Sequence, residues 1–369
     1  MENTQIRYAK LLLDYCLEIK PGDKLYIATS MLAEPLVREV YRYATQLGAQ
    51  TEIDFQFSGK SKMFFDNAPD ELLTSEPLFH KKALEEFDAY LNIRAPYNLN
   101  ETSNIDPEKR KKRSEALQEI NNIYFERTAD RHAPGALRRC LCQYPTEASA
   151  QKANMSLEEY SAFVYQACHL NAENPKAEWL KIREDQQRIK EYLDKVKEMQ
   201  YKSDKTDIRF SVEGRTWINS DGQANMPSGE VFSAPVEDSV NGKVYFSYPS
   251  IYMGIDVSGI SLWVENGKII KWDAEEGGDV LDQVFSIAGA NYFGEVAIGT
   301  NYNIRQSTRN ILFDEKIGGT IHMAVGQSYK QCGGLNRSSI HWDMITDMTE
   351  SGQIYADGKL IYEKGKFLI

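Results

Sequence analysis

No stretch of this 369-residue chain approaches the ~18 consecutive apolar residues that a membrane span requires. The N-terminus, Met1-Glu2-Asn3-Thr4, has no basic region followed by an apolar block, so a secretory signal is not expected. Cysteine is scarce: Cys16, Cys140, Cys142, Cys168 and Cys332 are odd in number and form no C-x-x-C pair. That disfavours a zinc site built on sulfur, and Cys140 and Cys142, two apart on a strand, read as core-facing thiols. The expectation is a reduced, cytoplasmic, soluble protein. Positive charge is also short. Against 54 Asp and Glu stand 43 Lys and Arg, giving a net charge of −11 and a pI near 5.2, which argues against nucleic acid and anionic lipid as partners. The one basic run, Lys109-Arg110-Lys111-Lys112-Arg113, reads as a solvated helix face. A glycine fingerprint is missing too. The first strand leads into Ser30-Met31-Leu32-Ala33-Glu34, which offers no close approach to a pyrophosphate.

Regular alternation of helix and strand is present. Thr4 to Ile19 carries apolar residues at helical spacing and stops at Pro21-Gly22-Asp23. Lys24 to Thr29 reads as a strand, Ala33 to Leu47 as an amphipathic helix capped by Gly48, and Thr51 to Phe57 as the next strand. Further strands are expected at Ala89–Ile93, Ile123–Phe125 and Arg139–Tyr144. Roughly the first 150 residues thus predict an open, mostly parallel α/β sheet. A long charged helix, Trp179 to Met199, carries the stripe Ile189, Tyr192, Leu193, Val196 and Met199. Beyond it the pattern turns to short strands, with Asn241-Gly242 and Asn266-Gly267 as hairpin signals. The predicted division is an N-terminal α/β domain over 1–204 and a β-rich α+β domain over 205–369.

Four segments of the second domain set acidic or histidine side chains into apolar strands. Glu230 opens the strand bounded by Pro235, and Glu295 heads Val296-Ala297-Ile298 after Phe293-Gly294. His322 follows Gly318-Gly319 and enters Met323-Ala324-Val325; a lone histidine there is more often a hydrogen-bonded core residue than a ligand. His341 and Asp343, two apart, point to one face of a strand, with Trp342 turned the other way into packing. A buried carboxylate is costly unless something positive neutralises it. Three carboxylates and two imidazoles exceed what one tetrahedral zinc takes and suit two cations sharing carboxylates, roughly 3.5–4 Å apart.

These segments resemble the M29 family of metalloaminopeptidases, the aminopeptidase T and aminopeptidase S group. The resemblance spans essentially the whole chain, from Lys20-Pro21-Gly22-Asp23 and Tyr144-Pro145-Thr146-Glu147 through Met226-Pro227-Ser228-Gly229-Glu230 and Gly294-Glu295 to Phe313-Asp314-Glu315, Ile321-His322-Met323 and Ile340-His341-Trp342-Asp343. It implies two divalent metals (Zn, Co or Mn) held by Glu230, Glu295, His322, His341 and Asp343, a short peptide as substrate, and a homodimer. Glu315 matches a family acidic position near the metals, but its seven-residue separation from His322 leaves its role open. Tyr329 falls on the family's catalytic tyrosine; read as a residue of Gln327-Ser328-Tyr329-Lys330 alone, it is equally a loop aromatic. The implied reaction removes an N-terminal residue through a metal-activated water, with Glu295 handling its proton and Tyr329 steadying the oxyanion. The alternatives are another two-metal amide or dipeptide hydrolase on this scaffold, and a non-catalytic family member that acts by binding.

Overall fold

The computed structural model describes residues 3–369; Met1 and Glu2, read above for the missing secretory signal, lie outside them. The chain divides into two compact units. One comprises Met1–Ala177 with Gly222–Pro227, the other Glu178–Asp221 with Ser228–Ile369.

The first unit is built on a five-stranded parallel sheet, in the order Gln50–Gln56, Lys24–Ser30, Ala89–Arg94, Arg138–Gln143 and Asn225–Met226. Parallel neighbours require crossovers, and the helix Glu34–Gln46 supplies the first, burying Leu36, Val37, Val40 and Ala44. The expected strand at Ile123–Phe125 is instead part of the helix Gln118–Thr128. Ile120, Ile123 and Tyr124 recur at helical spacing and pack on Tyr26, Leu84, Tyr90 and Leu137, while Phe125 is exposed. The basic run lies on the helix Pro107–Ala116. Its cations are engaged locally: Lys109 donates to the Phe65 carbonyl at 2.5 Å, Arg110 to that of Thr102, Arg113 to that of Ser75, and Lys112 pairs with Asp70. All five cysteines are buried free thiols. Among the described residues no helix is long and apolar enough to cross a membrane.

The second unit holds an eight-stranded antiparallel sheet and a five-stranded antiparallel one. The five-stranded sheet runs His341–Asp347, Thr320–Gly326, Phe293–Gly299, Glu230–Ser233, Ile218–Ser220. Residues of both sheets share one core, to which this sheet gives Val296, Ile298, Ile321, Met323, Val325, Trp342 and Met344. The expected boundary at 204/205 falls inside this unit. The long helix, Pro175–Leu193, ends sooner than its stripe suggests, and Met199 belongs to the strand Glu198–Lys202. Leu193, Val196 and Met199 enter the core of the second unit, with Ile189 and Tyr192 packed against it, so the stripe follows the core it fills rather than one helix.

Candidate metal centre

Side chains alternate along a strand, so the face opposite that core carries the polar set. Across the central strands of the five-stranded sheet, Glu230 pairs with Gly299 and His322 with Ala297. Ala324 stands between Glu295 and Asp343, and Gly326 pairs with His341. Small residues in the register leave room above the sheet for the five candidate side chains.

Regular alternation from Phe293, a core residue, would bury Glu295 on the core side as well. A bulge between Phe293 and Glu295 breaks the register and turns the glutamate to the polar face. The extra residue is Gly294. A Cβ there would stand 2.5 Å from the Gly326 carbonyl oxygen and 2.6 Å from that of Gln327, so the bulge accepts only glycine without backbone movement.

The five expected residues converge. Glu295 Oε1 lies 3.4 Å from His322 Nε2, and its Oε2 lies 3.1 Å from His341 Nε2. Glu230 Oε2 is 3.3 Å from His322 Nε2, and Asp343 Oδ1 is 3.5 Å from His341 Nε2. Three groups bring possible ligand atoms within 4.8 Å of one another: Glu230, Glu295 and His322; Glu295, His341 and Asp343; and Glu315, His322 and Asp343. Glu230 Oε2, both nitrogens of His322 and Asp343 Oδ1 are buried with no hydrogen-bond partner among the described residues. Buried polar atoms are rarely left so, and here oxygen and imidazole donors converge on common points, the set that suits a divalent cation. His341 Nδ1 lies 2.8 Å from the Gln327 carbonyl. A proton on Nδ1 directs Nε2 into the site, the usual support of a ligating imidazole.

Two neighbours went unassigned in the sequence. Lys316 is buried among the carboxylates, its Nζ 2.6 Å from Glu230 Oε1 and also bonded to Glu315. A lysine after an acidic turn reads as surface, and only the return of residue 230 to the same place shows its partner. Gln186, buried on the long helix, donates to the Glu230 carbonyl at 3.1 Å and accepts from Thr300 Oγ1 at 2.9 Å, fixing the strand end that carries Glu230. Tyr329 sits at the rim, its ring 5.1 Å from that of His341 and 5.6 Å from that of Phe232.

The electrostatics are those of a cation-poor acidic cluster. Burial alone would lower the imidazoles, but the facing carboxylates prevail and raise His322 to about 9 and His341 to about 12. Burial opposes ionisation of Asp343, yet the facing His341 charge brings it down to about 2. Burial pushes Glu315 up to about 8 against the pull of Lys316. Burial, with the surrounding carboxylates, drives the Tyr329 phenol far above its ordinary value, so it stays a hydrogen-bond donor. Metal held by both imidazoles would have to displace their protons. Divalent-cation affinity of the metal-free protein is therefore expected to rise with pH by up to about tenfold per unit for each proton released, the His322 share ending at about 9 and the His341 share continuing to about 12. Titration calorimetry in buffers of different ionisation enthalpy at pH 7 checks this; heats independent of the buffer would refute it.

The sequence profile of the family described as "Thermophilic metalloprotease (M29)" matches residues 1–367. The chain belongs to the M29 peptidase family. Membership places it among peptide-bond hydrolases that use divalent metal. Among M29 relatives, it is 27% identical to Aminopeptidase 2 of Geobacillus stearothermophilus, covering 96% of this chain and 94% of that one. It is 26% identical to aminopeptidase AmpS of Bacillus subtilis, covering 95% of each. The fold matches that of wild-type AmpT from Thermus thermophilus with a TM-score of 0.84 over 99% of both chains, at 22% identity.

Proposed function

We propose that this M29 chain is an aminopeptidase that removes N-terminal residues from short peptides and holds two divalent ions, Zn, Co or Mn. In this reading Glu230, Glu295 and His322 hold one, and Glu295, His341 and Asp343 the other. One observation carries it: the two oxygens of Glu295 face different imidazoles, at 3.4 and 3.1 Å, so this carboxylate stands between the set that holds His322 with Glu230 and the set that holds His341 with Asp343. The names of the aligned relatives, aminopeptidases along nearly their full length, point to the same reaction.

When bound, the ions supply Lewis acidity and a water acidified towards ~7. The chain supplies the rest. Glu295 is the catalytic carboxylate because both sets share it; with Glu315 it is also at hand for the proton released when the water attacks. Tyr329, neutral and at the rim beside His341, donates to the oxyanion that forms on the scissile carbonyl. The Gln327 carbonyl keeps His341 in one tautomer throughout. A homodimer in the cytoplasm completes the proposal, and five free thiols suit a reducing compartment.

Chelation and a blocked substrate test this together. EDTA is expected to abolish cleavage of an aminoacyl-anilide, and Co²⁺, Zn²⁺ or Mn²⁺ to restore it, while the N-acetylated substrate stays uncut. Cleavage of the blocked substrate would indicate a different amide hydrolase. No cleavage of any free aminoacyl substrate with metal bound would indicate a binding protein.

A further inference from the structure

Lys316 is 1% exposed, a rare state for lysine and one that demands paired carboxylates. It divides Glu230 in two. Oε1 accepts from the ammonium at 2.6 Å, while Oε2 has no hydrogen-bond partner among the described residues and faces His322 Nε2 at 3.3 Å. The same ammonium holds Glu315, whose carboxylate otherwise lies within ligand reach of His322 and Asp343. We propose that Lys316 is a positioning residue that sets the ligand count of the centre, leaving Glu230 one oxygen for a cation and keeping Glu315 out of the ligand set. This rests on the two-ion reading above. With Lys316 included, four carboxylates and two divalent ions reach neutrality with a single hydroxide, so the fixed ammonium also limits how much negative charge the ions receive.

A support that merely fills space and a residue that limits donation have opposite consequences for metal binding. Without a fixed positive charge beside Glu230, and with Glu230 Oε1 and Glu315 released to coordinate, a cation is held more tightly and by more oxygens. Loss of simple support weakens binding.

The test uses Co²⁺ with the full chain, read by equilibrium competition against a chelating dye and by visible absorption, which falls as the coordination number rises. The parent is expected to bind two Co²⁺. E315Q should keep both ions and the parent spectrum. K316M should bind Co²⁺ at least about tenfold more tightly with weaker absorption, and K316R should return to the parent spectrum. An ion lost in E315Q, or K316M absorption equal to the parent's, overturns the proposal. If K316M does not fold, the E315Q and K316R spectra decide, since a departure of either from the parent overturns it. A parent that binds fewer than two Co²⁺ refutes the two-ion reading instead, whatever the variants do.

Discussion

Glu295→Gln is expected to lower kcat/KM for an aminoacyl-anilide by at least about 10³-fold, with the far-UV circular dichroism of the parent retained. The substitution keeps the volume of the side chain and removes its charge. It also replaces one of two oxygens with an amide nitrogen, which cannot ligate, facing an imidazole that approaches Glu295 to 3.1 or 3.4 Å. Among the described residues, Glu295 alone belongs to both the Glu230–Glu295–His322 set and the Glu295–His341–Asp343 set, so its loss weakens both. His341→Ala should be nearly as damaging, because it removes the nitrogen that the Gln327 carbonyl orients. Steady-state kinetics on purified, metal-supplemented variants check both, and turnover near the parent's in either one would sink the site assignment.

Gly294→Ala is expected to inactivate the enzyme without touching a single functional group. Its Cβ would meet the carbonyl oxygens of Gly326 and Gln327 at 2.5 and 2.6 Å, so either the bulge or the facing strand has to move. Such overpacking costs about 1–3 kcal/mol of stability. The consequence for the site is larger, because the bulge turns Glu295 to the polar face and Gln327 carries the carbonyl that fixes His341. Displacement by about 1 Å suffices for a loss on the order of 10²-fold. Thermal unfolding and kinetics separate the two effects: a modest fall in Tm with a large fall in kcat/KM is the expected pattern. Parent-like activity would show that Glu295 reaches its place without the bulge.

The five ligand candidates were legible because burying a charge inside an apolar strand is expensive, and Glu295, His322 and Asp343 each interrupt such a strand. The turn at Asn266-Gly267 was legible as well: both residues have positive φ and close a two-residue hairpin between Ile260–Glu265 and Lys268–Asp273. Asn241-Gly242 carries the same dipeptide and makes no turn. It starts the strand Asn241–Phe246 and pairs on both sides, with Ile208 and Val264 opposite Gly242. Ile123–Phe125 misled for a related reason, since three apolar residues in a row fit either period and the core at Tyr26 and Tyr90 decides between them. Lys316 was not legible at all. Its burial depends on Glu230, 86 residues earlier, and no local pattern marks a lysine for the interior. The position of Glu295 needed geometry too, because spacing along the chain does not tell which carboxylate stands between two imidazoles.

Metal content is the most direct measurement. The purified chain, stripped with chelator and titrated with Zn²⁺ or Co²⁺ under analytical metal quantification, should take up two ions per chain, with aminoacyl-anilide cleavage returning as they bind. Saturation at one ion with full activity would contradict a centre in which Glu295 serves two cations.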